Sequence, residues 1–253
     1  MLGWKDGRLV KLWGRLIEHG IERKQTILRP GVDPVQDVDG DGRPEIVVSI
    51  FNASGDDKWH VEVLEGACDR IMAIEAARVK WCVSGRGMYP GMWIDGLARG
   101  GVVLADLLGN GRLCTIAATS SPLGCARLVA IDPDGKQIWH RDFHRFAGAP
   151  PEWNVAGLTF WFAGRFTSRD HCDVLVSFRR STMHSDESCL LDGRNGRELW
   201  RRTASATTVN GCVRGCGGGW MDVFDYDGDG RAQLAVICMD GSVYCVGQGG
   251  LHD

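Results

Sequence analysis

Oxygen-bearing side chains recur at alternate positions in two short stretches of this 253-residue sequence. In DVDGDGRPE, Asp37, Asp39 and Asp41 fall at the first, third and fifth places of a bend. Gly42 follows at the sixth, Arg43 offers its main-chain carbonyl at the seventh, and Glu45 stands at the ninth. Alternate side chains of a tightly turning segment converge on one centre. Carboxylates gathered there repel one another unless a cation sits among them. A hard ion that takes six to eight oxygens fits, which makes calcium the expected cofactor. The stretch DYDGDGRAQ repeats the pattern with Asp225, Asp227, Asp229, the Arg231 carbonyl and Gln233. Gln233 supplies an oxygen without charge, so binding there is expected to be weaker. An EF-hand needs an acidic ligand at the twelfth place, where Val48 and Val236 stand.

Two further copies lack the full donor set. The second keeps Asp106 and Asn110 but has Leu108 and Cys114 at the third and ninth places. The third has Arg165, Thr167 and Arg169 at the first, third and fifth, and keeps Asp173 at the ninth. Neither is expected to hold metal, and in the third the arginines are candidates for an internal positive charge. A plain Asp/Gly turn is the alternative reading of every copy. Metal in such a loop is expected to pin strands rather than do chemistry. On this reading Asp39→Ala destabilises more than Asp106→Ala.

Other groups with chemical potential are sparse. RRSTMHSDES brings Arg179, Arg180, His184, Asp186 and Glu187 together after an apolar run. His184 with the two carboxylates is a candidate base or metal ligand, and a polar surface loop is the alternative. The stretch from His140 to Trp161 is rich in Trp, Phe and Arg, which suits a sugar-stacking groove or ordinary packing. The glycine turn at Arg214 is not a phosphate loop, and neither G-x-S-x-G nor H-E-x-x-H occurs. No set of residues for nucleophilic catalysis is visible.

The elements that would carry these loops repeat. A Trp closes a turn-then-strand unit at Trp13, Trp81, Trp139 and Trp200, and a turn begins 24, 25, 26 and 25 residues later, at Asp37, Asp106, Arg165 and Asp225. The turns are spaced 69, 59 and 60 residues apart. Each unit reads as an apolar strand, the turn, a β-branched strand such as EIVVSI or DVLVSF, a third strand, a Gly-containing turn in most copies, and the Trp strand. Residues 68–79 alone could pass for a short helix. Four-stranded units at this period predict an all-β chain, residues 1–253, forming a β-propeller: a four-blade ring or part of a larger one. The Trp is read as packing between blades. The last unit is expected to lack its Trp strand, and the first to begin with one.

Composition sets outer bounds. Net charge is −3, which points to no nucleic-acid partner, and no apolar run is long enough to span a membrane. The N-terminus carries no export signal. The ten cysteines include one close pair, Cys212 and Cys216, without zinc-finger spacing. They read as small buried residues, with disulfides the alternative.

DVDGDGRPEIVV and DYDGDGRAQLAV resemble the FG-GAP/VCBS calcium-loop repeats of integrin-type propellers and bacterial surface proteins. LVAIDPDGKQIW and CLLDGRNGRELW are similar to the strand–turn–Trp unit of PQQ-type blades. The resemblance implies a propeller with calcium held by Asp37, Asp39, Asp41, Arg43 and Glu45 and by Asp225, Asp227, Asp229, Arg231 and Gln233. It also implies an extracellular, periplasmic or surface protein that binds a protein or glycan at the propeller face without catalysis. Rhamnogalacturonan lyases are an enzymatic branch with similar loops, and a polysaccharide lyase is the alternative function.

Overall fold

The computed structural model describes residues 2–11, 35–52, 58–65, 78–86, 102–120, 126–143, 158–179, 186–203, 221–237, 243–247 and 250–251. Among them there is no helix; every element is a strand. The 68–79 stretch lies almost wholly outside the described residues, and Val79 already belongs to a strand.

A hairpin of β1 (Leu2–Lys5) and β2 (Arg8–Lys11) precedes four antiparallel units. The first is β3 (Val35–Gln36), β4 (Glu45–Asn52), β5 (Lys58–Glu65) and β6 (Val79–Arg86). The second is β7 (Val103–Ala105), β8 (Cys114–Ser120), β9 (Ala126–Ile131) and β10 (Gln137–Phe143). The third is β11 (Leu158–Gly164), β12 (Asp173–Arg179), β13 (Asp186–Leu191) and β14 (Glu198–Thr203). The fourth is β15 (Met221–Phe224), β16 (Gln233–Ile237), β17 (Val243–Gly247) and β18 (Gly250–Leu251). In each, neighbours in sequence pair as neighbours in the sheet. The first two units join into one eight-stranded sheet through the pair Arg86↔Ser120 alone. The fourth unit does carry a fourth strand, contrary to expectation. Gly247 pairs Gly250, so the chain folds back after two residues and Leu251 meets Val246.

The second unit explains why its strands read as nearly unbroken apolar runs. Its residues alternate between two cores. Ile116, Leu128 and Ala130 pack with Trp161, Val174 and Leu191 of the third unit. Their neighbours Ala117, Val129 and Ile131 pack with Val38, Val47 and Val63 of the first. Successive strand residues point to opposite faces, so a sheet covered on both sides must be apolar at every position. The first strands of successive units also stand together, β7 against β11 and β11 against β15.

The recurring Trp is a docking group between units. Trp81 donates its indole N–H to the Pro133 carbonyl at 2.9 Å, and Trp139 donates to Gly193 at 2.6 Å. Pro133 and Gly193 hold the same place in the next unit's turn before its last strand. The ring lies over a glycine of that turn. A Cβ on Gly135 would come within 2.7 Å of Trp81, and one on Gly196 within 2.8 Å of Trp139. Trp200 is 45% exposed, whereas Trp139 is 6% exposed. Arg141 on β10 adds an ion pair to Glu198 on β14 at 3.0 Å.

Trp139→Ala is expected to lower unfolding free energy by about 3–5 kcal/mol, and Trp200→Ala by less than about 1 kcal/mol, in denaturant titrations. Arg201 and then Arg141 hold the Glu198 carboxyl below its ordinary value of 4.5. Its contribution is therefore present above pH 4.5 and fades as pH falls through the lower folded value. Glu198→Gln should destabilise slightly at neutral pH, and its deficit against the parent should vanish in acid unfolding curves.

Candidate metal centre

The four turns all connect the first and second strands of a unit, so they cluster at one end of their sheets. Position one organises the turn. Asp37 Oδ1 accepts the N–H groups of Gly40 at 2.8 Å and Asp41 at 3.1 Å, and Oδ2 accepts that of Gly42 at 2.8 Å. Asp106 repeats this with Gly109 at 2.7 Å, Asn110 at 3.1 Å and Gly111 at 2.9 Å. Asp225 accepts from Gly230 at 2.9 Å. Three amides can face one carboxylate because the chain turns left-handed at Gly40 and Gly42, with φ of 77° and 84°. Position five then closes a second ring on position seven. Arg43 donates to Asp41 at 2.8 Å, Arg112 to Asn110 at 3.0 Å, and Arg231 to Asp229 at 2.8 Å.

Position nine lies buried beneath the turn as an acceptor. Glu45 Oε2 takes the Val38 N–H at 2.8 Å, and Gln233 Oε1 takes the Tyr226 N–H at 2.5 Å. Asp173 Oδ2 takes the Thr167 N–H at 2.8 Å. In the second loop Cys114 holds the ninth place, and burial pushes its thiol up to about 11, so it stays protonated.

The carboxylates of Asp37, Asp39 and Asp41 approach within 4.8 Å of one another, as do those of Asp225, Asp227 and Asp229. Both sets suit a hard cation: all donors are oxygens, and the turn faces solvent. Glu45 and Gln233 are placed differently from the aspartates. Glu45 Oε1 faces the ammonium of Lys80, 3.2 Å away, and Lys80 also bonds to Asp39 Oδ2. Burial alone would lower the lysine's pKa, but these two bonds raise it, and Lys80 holds the Asp39 carboxyl below its ordinary range. Gln233 directs its amide N–H at Asp227 Oδ1, 3.2 Å away. The first loop thus contains an internal cation, and the fourth has a neutral donor at the same place.

Sequence reading missed Lys80, 41 residues from Asp39. A signal existed in the aligned units. The residue before the docking Trp is Lys80 in the first and Ile138 in the second. It changes from charged to apolar together with Asp39/Leu108 and Glu45/Cys114.

The third loop also differs from expectation. The basic side chain set against Asp173 is an imidazole: His171 Nε2 lies 3.5 Å from Asp173 Oδ1. Arg165 serves through its carbonyl, and Arg169 packs over Gly230. Asp192, from the turn after β13, lies 4.0 Å from the same imidazole nitrogen. The Arg194 guanidinium draws the Asp192 carboxyl down to about 2 despite burial.

Adjacent loops are stitched by their backbones. The eighth residue of each donates to the preceding loop: Leu113 to Val38 O at 2.8 Å, Cys172 to Asp106 O at 2.8 Å, and Ala232 to Arg165 O at 2.9 Å. The Arg112 guanidinium adds a bond to Asp39 O at 3.0 Å.

Arg180, His184 and most of His140–Trp161 lie outside the described residues, as do Cys212, Cys216 and the glycine turn at Arg214. Arg179 pairs with Asp186 across β12 and β13. That pair stands at the opposite end of the third sheet from the turn at Arg165. Among the described residues, Cys114 and Cys172 are free thiols.

The hydrogen bonds revise the expected ranking of two substitutions. Asp106→Ala strands three amides and is expected to cost about 1–2 kcal/mol, as a lost helix cap does. In chelator it should destabilise more than Asp39→Ala. Adding calcium should raise the melting temperature of the parent and of Asp106→Ala, and raise that of Asp39→Ala least.

No family model matches the sequence, and no curated protein matches it. Solved structures do. The exotype rhamnogalacturonan lyase YesX aligns over 95% of this chain and 47% of its own, with 15% identity and a TM-score of 0.53. Rhamnogalacturonan lyase YesW aligns over 83% and 41%, with 16% identity and a TM-score of 0.50. The Bacillus licheniformis rhamnogalacturonan lyase PL11 aligns over 83% and 40%, with 15% identity and a TM-score of 0.50. The chain thus spans less than half the length of each structure it matches, and what it shares with them is the fold.

Proposed function

We propose that the four units are consecutive blades of a β-propeller of the calcium-loop repeat type, and that the chain is the glycan-acting scaffold of an extracellular polysaccharide lyase. The observation that carries this reading is the fold likeness to three rhamnogalacturonan lyases, over 95% of the chain in one case. Trp docking and loop stitching support the radial order, since each links a unit only to its neighbour.

Topology divides the labour. Calcium in the acidic loops, held by Asp37, Asp39 and Asp41 and by Asp225, Asp227 and Asp229, would neutralise clustered charge and clip strands. In the third unit, β12 has seven residues, about 20 Å of extended chain, so its Arg179 end stands well away from the loop at Arg165. Elimination from a uronate takes the proton at C5 to a base, expels the C4 oxygen substituent and leaves a C4=C5 double bond. Lys80 does not serve as that base, because its partners keep it protonated. The candidate is His184, which stands between Arg179 and Asp186 in the sequence.

Incubation with rhamnogalacturonan should produce the ultraviolet absorbance of the unsaturated uronide, and His184→Ala should abolish it. Retention of the glycan in affinity electrophoresis without that absorbance would establish the non-catalytic binding function instead. That second reading is favoured by the acidic loops themselves, whose carboxylates are engaged by their own backbone and have no acid–base pair beside them.

A further inference from the structure

We propose that His171, Asp173 and Asp192 form a buried site for a zinc-class divalent ion, distinct from the calcium loops. The three side chains come from two elements. His171 ends the turn before β12, Asp173 opens that strand, and Asp192 follows β13. All are buried, at 8%, 0% and 2% exposure.

The geometry is that of donors aimed at a common point. His171 Nε2 is 3.5 Å from Asp173 Oδ1 and 4.0 Å from Asp192 Oδ1, and the three donor atoms all lie within 4.8 Å of one another. Ligands at about 2.1 Å around a tetrahedral ion stand about 3.4 Å apart. Asp173 Oδ1 is buried and has no hydrogen-bond partner, although Oδ2 takes both the amide and the hydroxyl of Thr167. A bare buried carboxylate oxygen is costly, and an ion removes that cost.

The donor set selects the ion. Calcium asks for six to eight oxygens, whereas the side chains converging here are one imidazole and two carboxylates, and of the carboxylate oxygens only Asp173 Oδ1 has no hydrogen-bond partner. A neutral imidazole and two carboxylates suit zinc and balance its charge. The outer contacts have the form metal ligands need: Arg194 bonds both Asp192 oxygens, at 3.1 and 3.0 Å, and Asn195 bonds Oδ2 at 3.2 Å, fixing the carboxylate. The site is enclosed, so its ion would cross-link the turn to β13 rather than meet substrate.

The competing occupant is a proton on His171. Chelator-stripped protein given zinc in excess calcium and then desalted should retain one zinc per chain by elemental analysis, and His171→Gln and Asp173→Asn should each fail to retain it. Cobalt in the unaltered protein should give the intense visible absorption of a four-coordinate ion, a readout that needs no variant. Failure of the parent to retain zinc, variants that keep it, or only the weak absorption of octahedral cobalt would each overturn the proposal. The site does not rest on the lyase reading, because uptake is measured without substrate.

Discussion

A carboxylate at the first place of three of the four turns, offered to the amides of its own loop, is the contact that fixes the bend. Asp37 and Asp106 each hold three N–H groups that the bend leaves without partners. Once the bend is fixed, position nine tucks beneath it and position eight reaches the preceding loop. Metal is an addition to this frame. The second loop adopts the same frame with Leu108 and Cys114 where the first has Asp39 and Glu45. Carboxylates that gather around a cation and carboxylates that gather around amides share a spacing, and this chain uses both.

Contacts between units are of two kinds, and they fail differently. Trp docking is apolar and shape-dependent, requiring a glycine under the ring. Loop stitching is backbone to backbone and indifferent to side chains, which is why Arg165 can stand in an aspartate's place without breaking the link to Ala232. A drifting sequence therefore loses metal ligands before it loses its architecture. The third loop goes further, exchanging an exposed oxygen cluster for a buried imidazole and two carboxylates.

The repeat was legible because its markers are local: Asp, Gly and Trp at fixed separations, with β-branched runs between. The docking role of Trp81 and Trp139 followed from register. What escaped the sequence were partnerships between elements. Lys80 meets Asp39 and Glu45 only after β6 folds back, and Asp192 meets His171 only across a hairpin. Position nine was read as a ligand slot, so Cys114 looked like decay. In the folded units glutamate, glutamine and aspartate at this place each accept an amide of their own loop, and Cys114 fills it as a buried thiol.

The amide cradle also governs how the protein ages. Asn110–Gly111, Asp41–Gly42 and Asp229–Gly230 are the dipeptides in which a glycine nitrogen most readily attacks the preceding side chain to close a succinimide. In each, that nitrogen is instead donating to a carboxylate four places before the Asn or Asp, at 2.9, 2.8 and 2.9 Å. The nucleophile is withdrawn and the backbone held away from the cyclising geometry. Residues that make the turn foldable would otherwise be its points of chemical decay, and one aspartate guards against that outcome in each of these three loops.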